Sequence, residues 1–123
     1  MSNVDLELTV RDMFATSDTM DAAATAEFMT DDIEMRFANA DPVIGKQSYL
    51  EMAKEFLGSL KAIRHELHNV WVVEDQVTAS EMDVHYERLD GSKLSVPAAV
   101  IHRFRDGLIA DYRIFADITP LHA

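Results

Sequence analysis

Glu81, Asp83 and His85 alternate with Met82, Val84 and Tyr86 along a strand-like stretch of the chain. Two registers are open to them. Polar-outward alternation, the common arrangement of a half-buried strand, turns all three to solvent. The opposite register sinks two carboxylates and an imidazole into one cavity. Neighbouring carboxylates cannot both ionise cheaply, so one of them would keep its proton to higher pH. A carboxyl of that kind is a usable general acid or base. His85 or His102 could complement it near neutral pH.

Other side chains carry similar pairs of readings. His102 lies between Ile101 and Arg103, with Val100 and Phe104 as same-face neighbours. An imidazole on such a face is either a core residue or a ligand contact. Asp117 precedes Ile118-Thr119-Pro120 and either caps the turn there or enters a pocket. Trp71 and Tyr112 offer flat amphipathic walls to an apolar ligand, or plain core packing. His65, His85, His102, Glu81 and Asp83 are acceptable ligand types for zinc or iron. Glu81, Asp83 and His85 share one stretch, the two other histidines come from separate segments, and no HxH, HExxH or HxxE spacing is present, so the sequence predicts no metal and no cofactor. The lack of cysteine excludes disulfides, thiolate metal sites and thiol catalysis. No glycine-rich phosphate loop and no GxSxG elbow supports nucleotide binding or serine-type hydrolysis.

The elements that must position these residues divide the chain in two. Leu6, Val10, Met13 and Phe14 fall at helical spacing. Ser17-Asp18-Thr19 breaks that pattern and can cap a second helix, along which Met20, Ala24 and Phe28 repeat at four-residue steps. Thr30-Asp31-Asp32 ends it, and Ile33 to Phe37 alternate as a half-buried strand. Asn39-Ala40-Asp41-Pro42 and Gly45 mark turns, and a third amphipathic helix is predicted from Lys46 to about Leu60. The second half reads as strands over 63–74, 77–88, 93–105 and 108–117. Asp90-Gly91 and Asp106-Gly107 supply hairpin turns between them. Helices first and strands afterwards predict an α+β domain, with helices on one face of a curved antiparallel sheet and a pocket between.

Composition bounds the rest. The 123 residues fit one domain, with 48% hydrophobic content to build a core and a net charge of −11. That charge argues against nucleic acid or an anionic membrane as the main partner. No apolar run approaches the ~20 residues of a membrane span. The acidic start MSNVDLELTVRDMF does not resemble a signal peptide, so a cytoplasmic location is expected. Residues 1–51 hold 3 basic and 11 acidic side chains, so most of the excess lies in the helical half.

Several strings resemble a known family: Phe28-Met29-Thr30-Asp31-Asp32, Pro42 to Gly45, His68-Asn69-Val70-Trp71, Tyr86 to Gly91, and Asp106 to Asp117. With the order helix–helix–strand–helix–four strands, the chain resembles SnoaL-like proteins of the nuclear transport factor 2-like superfamily. Polyketide cyclases, ketosteroid isomerases and limonene-epoxide hydrolases are relatives. The resemblance implies a cone-shaped (cystatin-like) curved antiparallel sheet with three N-terminal-half helices on its concave face. It implies acid–base chemistry without a cofactor (isomerase, cyclase or hydrolase type) on a small apolar molecule, or mere binding of one, or a homodimeric interaction module of the same fold, with a homodimer formed through the convex sheet face.

The family register implies that Glu81, Asp83 and His85 face the pocket, with Met82, Val84, Tyr86, Ala99, Ile101 and Ile109 as the outer apolar patch. It also turns inward His65, Leu67, Asn69 and Trp71, then Val96, Ala98, Val100, His102 and Phe104, then Tyr112, Ile114 and Ala116. Met35 and Phe37 fall near the pocket. Asp83 is then the first choice for acid or base, Asp117 and His102 the second pair, and Glu81 and His85 electrostatic partners. Trp71, Tyr112, Phe37, Met35, Asn69, Val100 and Ile114 are the implied ligand contacts. The hydrolase's catalytic Arg and second Asp fall on Glu81 and Ile114. Its water-holding Tyr and Asn fall on Met35 and Phe37. The isomerase's base, oxyanion Asp and Tyr fall near Phe37, Val100 and Met13. None of these positions keeps the relative's chemistry.

Overall fold

Ser2 starts the first helix through a capping box. Its hydroxyl accepts the Asp5 N–H at 3.1 Å, and the Asp5 carboxylate accepts the Ser2 N–H at 3.2 Å. In the computed structural model, which describes residues 1–123, this helix (α1) spans Asn3–Ser17 and buries the expected stripe of Leu6, Val10, Met13 and Phe14. The second helix, α2, is only Ala22–Ala26. Met20 adopts a positive φ of 67° that stops a helix from starting there. Asp21 supplies the cap, its side chain accepting the Ala24 N–H at 3.0 Å. Asp18 is thereby released for another partner.

Strand β1 runs Met29–Phe37, four residues ahead of the alternation at Ile33, so Thr30–Asp32 belong to it rather than ending a helix. A two-residue strand, β2 (Val43–Ile44), precedes α3 (Lys46–Gly58). Then follow β3 (Leu60–Glu74), β4 (Val77–Arg88), β5 (Lys93–Arg105) and β6 (Leu108–Ala116), close to the segments read from sequence. A 3-10 turn at Thr119–His122 ends the chain.

The strands form one curved, unclosed sheet in the order β2-β1-β6-β5-β4-β3. The sheet is not wholly antiparallel, because β1 pairs with β6 in parallel. No hairpin links these two strands, so turn geometry does not dictate their direction. Helices α1 and α3 lie against the concave face, α2 packs on both of them, and together they bury a continuous apolar core.

Strand register decides which side chains meet. On β4 the buried series is Thr78, Ser80, Met82, Val84 and Tyr86. Opposite them on β5 stand His102, Val100, Ala98, Val96 and Leu94. Glu81, Asp83 and His85 therefore occupy the convex face, which corrects the inward register implied by the family. Period-2 alternation with apolar groups inward explains the placement, since burying two carboxylates would cost more than burying Met82 and Val84. The same correction removes Met82, Val84, Tyr86 and Ile109 from the outer patch, because all four are buried.

A second correction arises on β3. Its ladder slips between Leu67 and Asn69, where β4 advances only from Met82 to Glu81. His68 is the extra residue of this bulge. His65 and Leu67 stay inward, but beyond the bulge Val70 and Val72 point in, while Asn69 and Trp71 point out.

Candidate active site

Between α1, α3 and the concave sheet lies a cavity of about 560 Å³, a size suited to a small organic ligand. Twenty of its 25 lining residues are hydrophobic, which fits an apolar occupant. Met35, Phe37, Val100, Tyr112 and Ile114 line it as the sequence reading expected. Its polar lining at Glu55, Ser59 and His122 is exposed, which sets the mouth between the end of α3 and the C-terminal turn. Arg88 ties that turn down, donating to the Pro120 carbonyl at 2.7 Å and the Leu121 carbonyl at 3.2 Å.

The polar groups deeper in the wall are Ser17 and His65, and His65 carries the chemistry. Asp18, at the C-terminal cap of α1, accepts the His65 backbone N–H at 3.1 Å and meets its ring Nδ1 at 2.6 Å. A carboxylate only accepts, so Nδ1 is the donor, and in the neutral ring this tautomer leaves the lone pair on Nε2. No protein group bonds Nε2. The imidazole leans on Phe14, ring centroids 4.7 Å apart, and both side chains line the cavity. This is the orientation of a general base held by a carboxylate.

The chain's three tyrosines, Tyr49, Tyr86 and Tyr112, all line the same cavity. Burial in apolar surroundings pushes the phenols of Tyr49 and Tyr86 up to about 12. Tyr112 is raised further, first by burial and then by repulsion from the other two. All three stay protonated and able to donate. None has a hydrogen-bond partner within the protein, so their hydroxyls are available to a ligand.

The expected catalytic residues lie elsewhere. Asp83 is on the convex face, where its carboxylate accepts from His68 Nε2 at 2.8 Å. That bond raises the His68 pKa above its ordinary value. His85 bridges Glu66 at 2.7 Å and Ser95 at 2.6 Å, and its bond holds Glu66 below the usual carboxylate range. Glu81 is exposed beside Asn69, whose Nδ2 donates to it at 3.4 Å. Asp117 caps the final turn, accepting the Thr119 N–H at 2.9 Å and its hydroxyl at 2.6 Å. The hydroxyl bond first, then the N–H, lowers its pKa.

His102 is fully buried but outside the cavity lining. It sits behind Tyr112, ring centroids 4.4 Å apart, with Phe14 and Phe104 around it. Neither ring nitrogen has a partner, and burial pushes its pKa down to about 3. It is a neutral core residue. Trp71 and Asn69 are likewise no part of the cavity, for the bulge turns both outward, and Trp71 is 48% exposed.

Comparison with known proteins bears on the fold and the family. A family model described as SnoaL-like domain matches residues 10–112. No curated protein matches the chain in sequence. Among solved structures, an NTF2-like protein of unknown function from Burkholderia pseudomallei K96243 superposes with a TM-score of 0.85 at 11% identity, covering 98% of this chain and 95% of that one. SalBIII, an epoxide hydrolase/cyclase-like enzyme in pyran ring formation in the polyether salinomycin, gives 0.83 at 15% identity, covering 93% and 92%. An LEH-like epoxide hydrolase from M. tuberculosis gives 0.82 at 11% identity, covering 94% and 85%. At these identities the likeness speaks to the fold alone.

Proposed function

The chain belongs to the SnoaL-like domain family, and from that premise we propose that it is a cofactor-independent proton-transfer enzyme acting on an apolar carbonyl compound. Asp18-oriented His65, opening onto an apolar cavity, is the observation that carries this reading. His65 Nε2 takes a proton from the carbon beside the ligand carbonyl. The electron pair moves onto the carbonyl oxygen, and tyrosine hydroxyls donate to the enolate that forms. Where the ligand carries a double bond next to that carbon, the enolate is a dienolate, and the imidazolium returns the proton to the far end of that double bond, which isomerises the ligand. Alternatively the enolate carbon attacks a second carbonyl of the same molecule, which closes a ring, and the new alkoxide takes that proton. The relatives described as cyclase-like and hydrolase enzymes lend the class plausibility, not the substrate.

The apolar wall equally favours a protein that only holds its ligand. Deuterium exchange separates the two. Apolar cyclic and aryl ketones that shift thermal unfolding are incubated in heavy water with the protein, and loss of the α-proton signal is followed by NMR. Enzyme-dependent exchange, abolished in His65→Ala while the thermal shift persists, supports the reading. Exchange that is absent for every bound ketone, or unchanged in His65→Ala, overturns it.

A two-fold homodimer through the convex face is the assembly that goes with this reading. Trp71 and Phe115 are 48% and 52% exposed and would supply apolar contacts there. Sedimentation at the 13.9 kDa mass of one chain would remove this element.

A further inference from the structure

The convex face gathers four chemistry-bearing side chains that the cavity does not use. Glu66 and Asp83 stand directly opposite each other on β3 and β4. Two carboxylates so placed repel unless cations or donors come between them. His68 approaches from the bulge and His85 from further along β4, each with Nε2 directed at a carboxylate, at 2.8 and 2.7 Å. One ligand atom from each of Glu66, His68 and Asp83 lies within 4.8 Å of the others.

We infer that Glu66, His68, Asp83 and His85 form a binding site for one first-row divalent transition-metal ion of the zinc type. Two imidazoles and two carboxylates are a suitable donor set for such an ion. Ligand atoms around a four-coordinate zinc at about 2.0–2.2 Å sit roughly 3.3–3.6 Å apart. The atoms of Glu66, His68 and Asp83 already stand within 4.8 Å of one another, and rotamer changes bring them to that range, with His85, whose Nε2 is 2.7 Å from Glu66, swinging in as the fourth ligand. The side chains can make those changes, since they are 31–46% exposed. The excess of acidic groups over the whole chain favours a cation's approach. The ion would clamp β3 to β4 at the edge of the sheet. Sequence spacing gave no hint of this set, because strand pairing rather than a local motif assembles it.

The test is calorimetric titration of the metal-stripped protein with zinc at neutral pH. One ion per chain is expected, with affinity weakened about tenfold or more in His68→Ala and in Asp83→Asn. His122→Ala, which removes an exposed histidine outside the set, should bind as the unaltered chain does. Nickel or copper should quench the single tryptophan, Trp71, which shares the convex face, and the two variants should lose that quenching. Circular dichroism confirms that each variant is folded. No saturable binding up to millimolar zinc, or the same isotherm in His68→Ala and Asp83→Asn as in the unaltered chain, overturns the inference.

Discussion

The Asp18 carboxylate holds His65 twice, by the backbone N–H at 3.1 Å and by the ring Nδ1 at 2.6 Å. β3 is an edge strand, so the outward N–H of His65 has no strand partner and the helix end supplies one. One side chain therefore fixes both the strand and the tautomer of the imidazole.

Asp18→Asn should break this arrangement while conserving shape. The amide oxygen can still accept as Oδ1 does now, but it carries no charge, and an amide flipped to present its nitrogen can only donate, so the Nδ1–H tautomer and the imidazolium are both held less firmly. Ketone α-proton exchange should fall by about 10²–10⁴, with the ligand-induced thermal shift largely kept. Exchange at the level of the unaltered chain would separate His65 from that role.

The tyrosines make a prediction at high pH. Their folded pKa values lie above the ordinary value of about 10, so they bind protons that the unfolded chain releases. The stability they contribute is present below pH 10 and lost as pH rises towards about 12. Phenolate absorbance near 295 nm should appear together with unfolding. A titration at pH 10 with the fold intact would contradict this.

His102 sets the opposite limit. Its folded pKa of about 3 lies below the unfolded value of 6.5, so only the unfolded chain takes up this proton in that window. Its contribution is full above pH 6.5 and declines as pH falls towards 3, by about 1.4 kcal/mol per pH unit. Denaturant unfolding near neutrality and at about pH 5 should show a smaller acid loss in His102→Leu. Equal losses in the two proteins would mean that His102 is protonated without cost.

Glu81→Gln and Asp117→Asn should leave α-proton exchange within about twofold of the unaltered chain, as surface changes outside a site usually do. Asp117→Asn should lower stability slightly through its turn. A large loss of exchange in either protein would return catalysis to the residues implied by the family register.

The α+β order, the long strands and both Asx-Gly hairpins were legible because they follow from local periodicity and turn chemistry. The cavity wall was partly legible for the same reason: Met35, Phe37, Val100, Tyr112 and Ile114 follow simple alternation. Trp71 and Asn69 were misplaced because a single extra residue, His68, inverts every side chain after it, and no residue type marks the bulge. Asp18 was read as a helix cap because only tertiary folding brings it to His65, 47 residues away. For Glu81, Asp83 and His85, plain polar-outward alternation described the strand better than the register borrowed from relatives.

The parallel pairing of β1 with β6 joins Met35 to Tyr112 and Phe37 to Ile114. It orders events in time as well as space. The β3–β6 meander can zip up from its own hairpins, but this seam must close a loop over most of the chain before any contact repays the entropy. The wall of the cavity is therefore among the last parts to form. Until β1 docks, the backbone edge of β6 beside the ligand chamber stays unpaired, so this seam is the edge most open to misassociation while the protein folds.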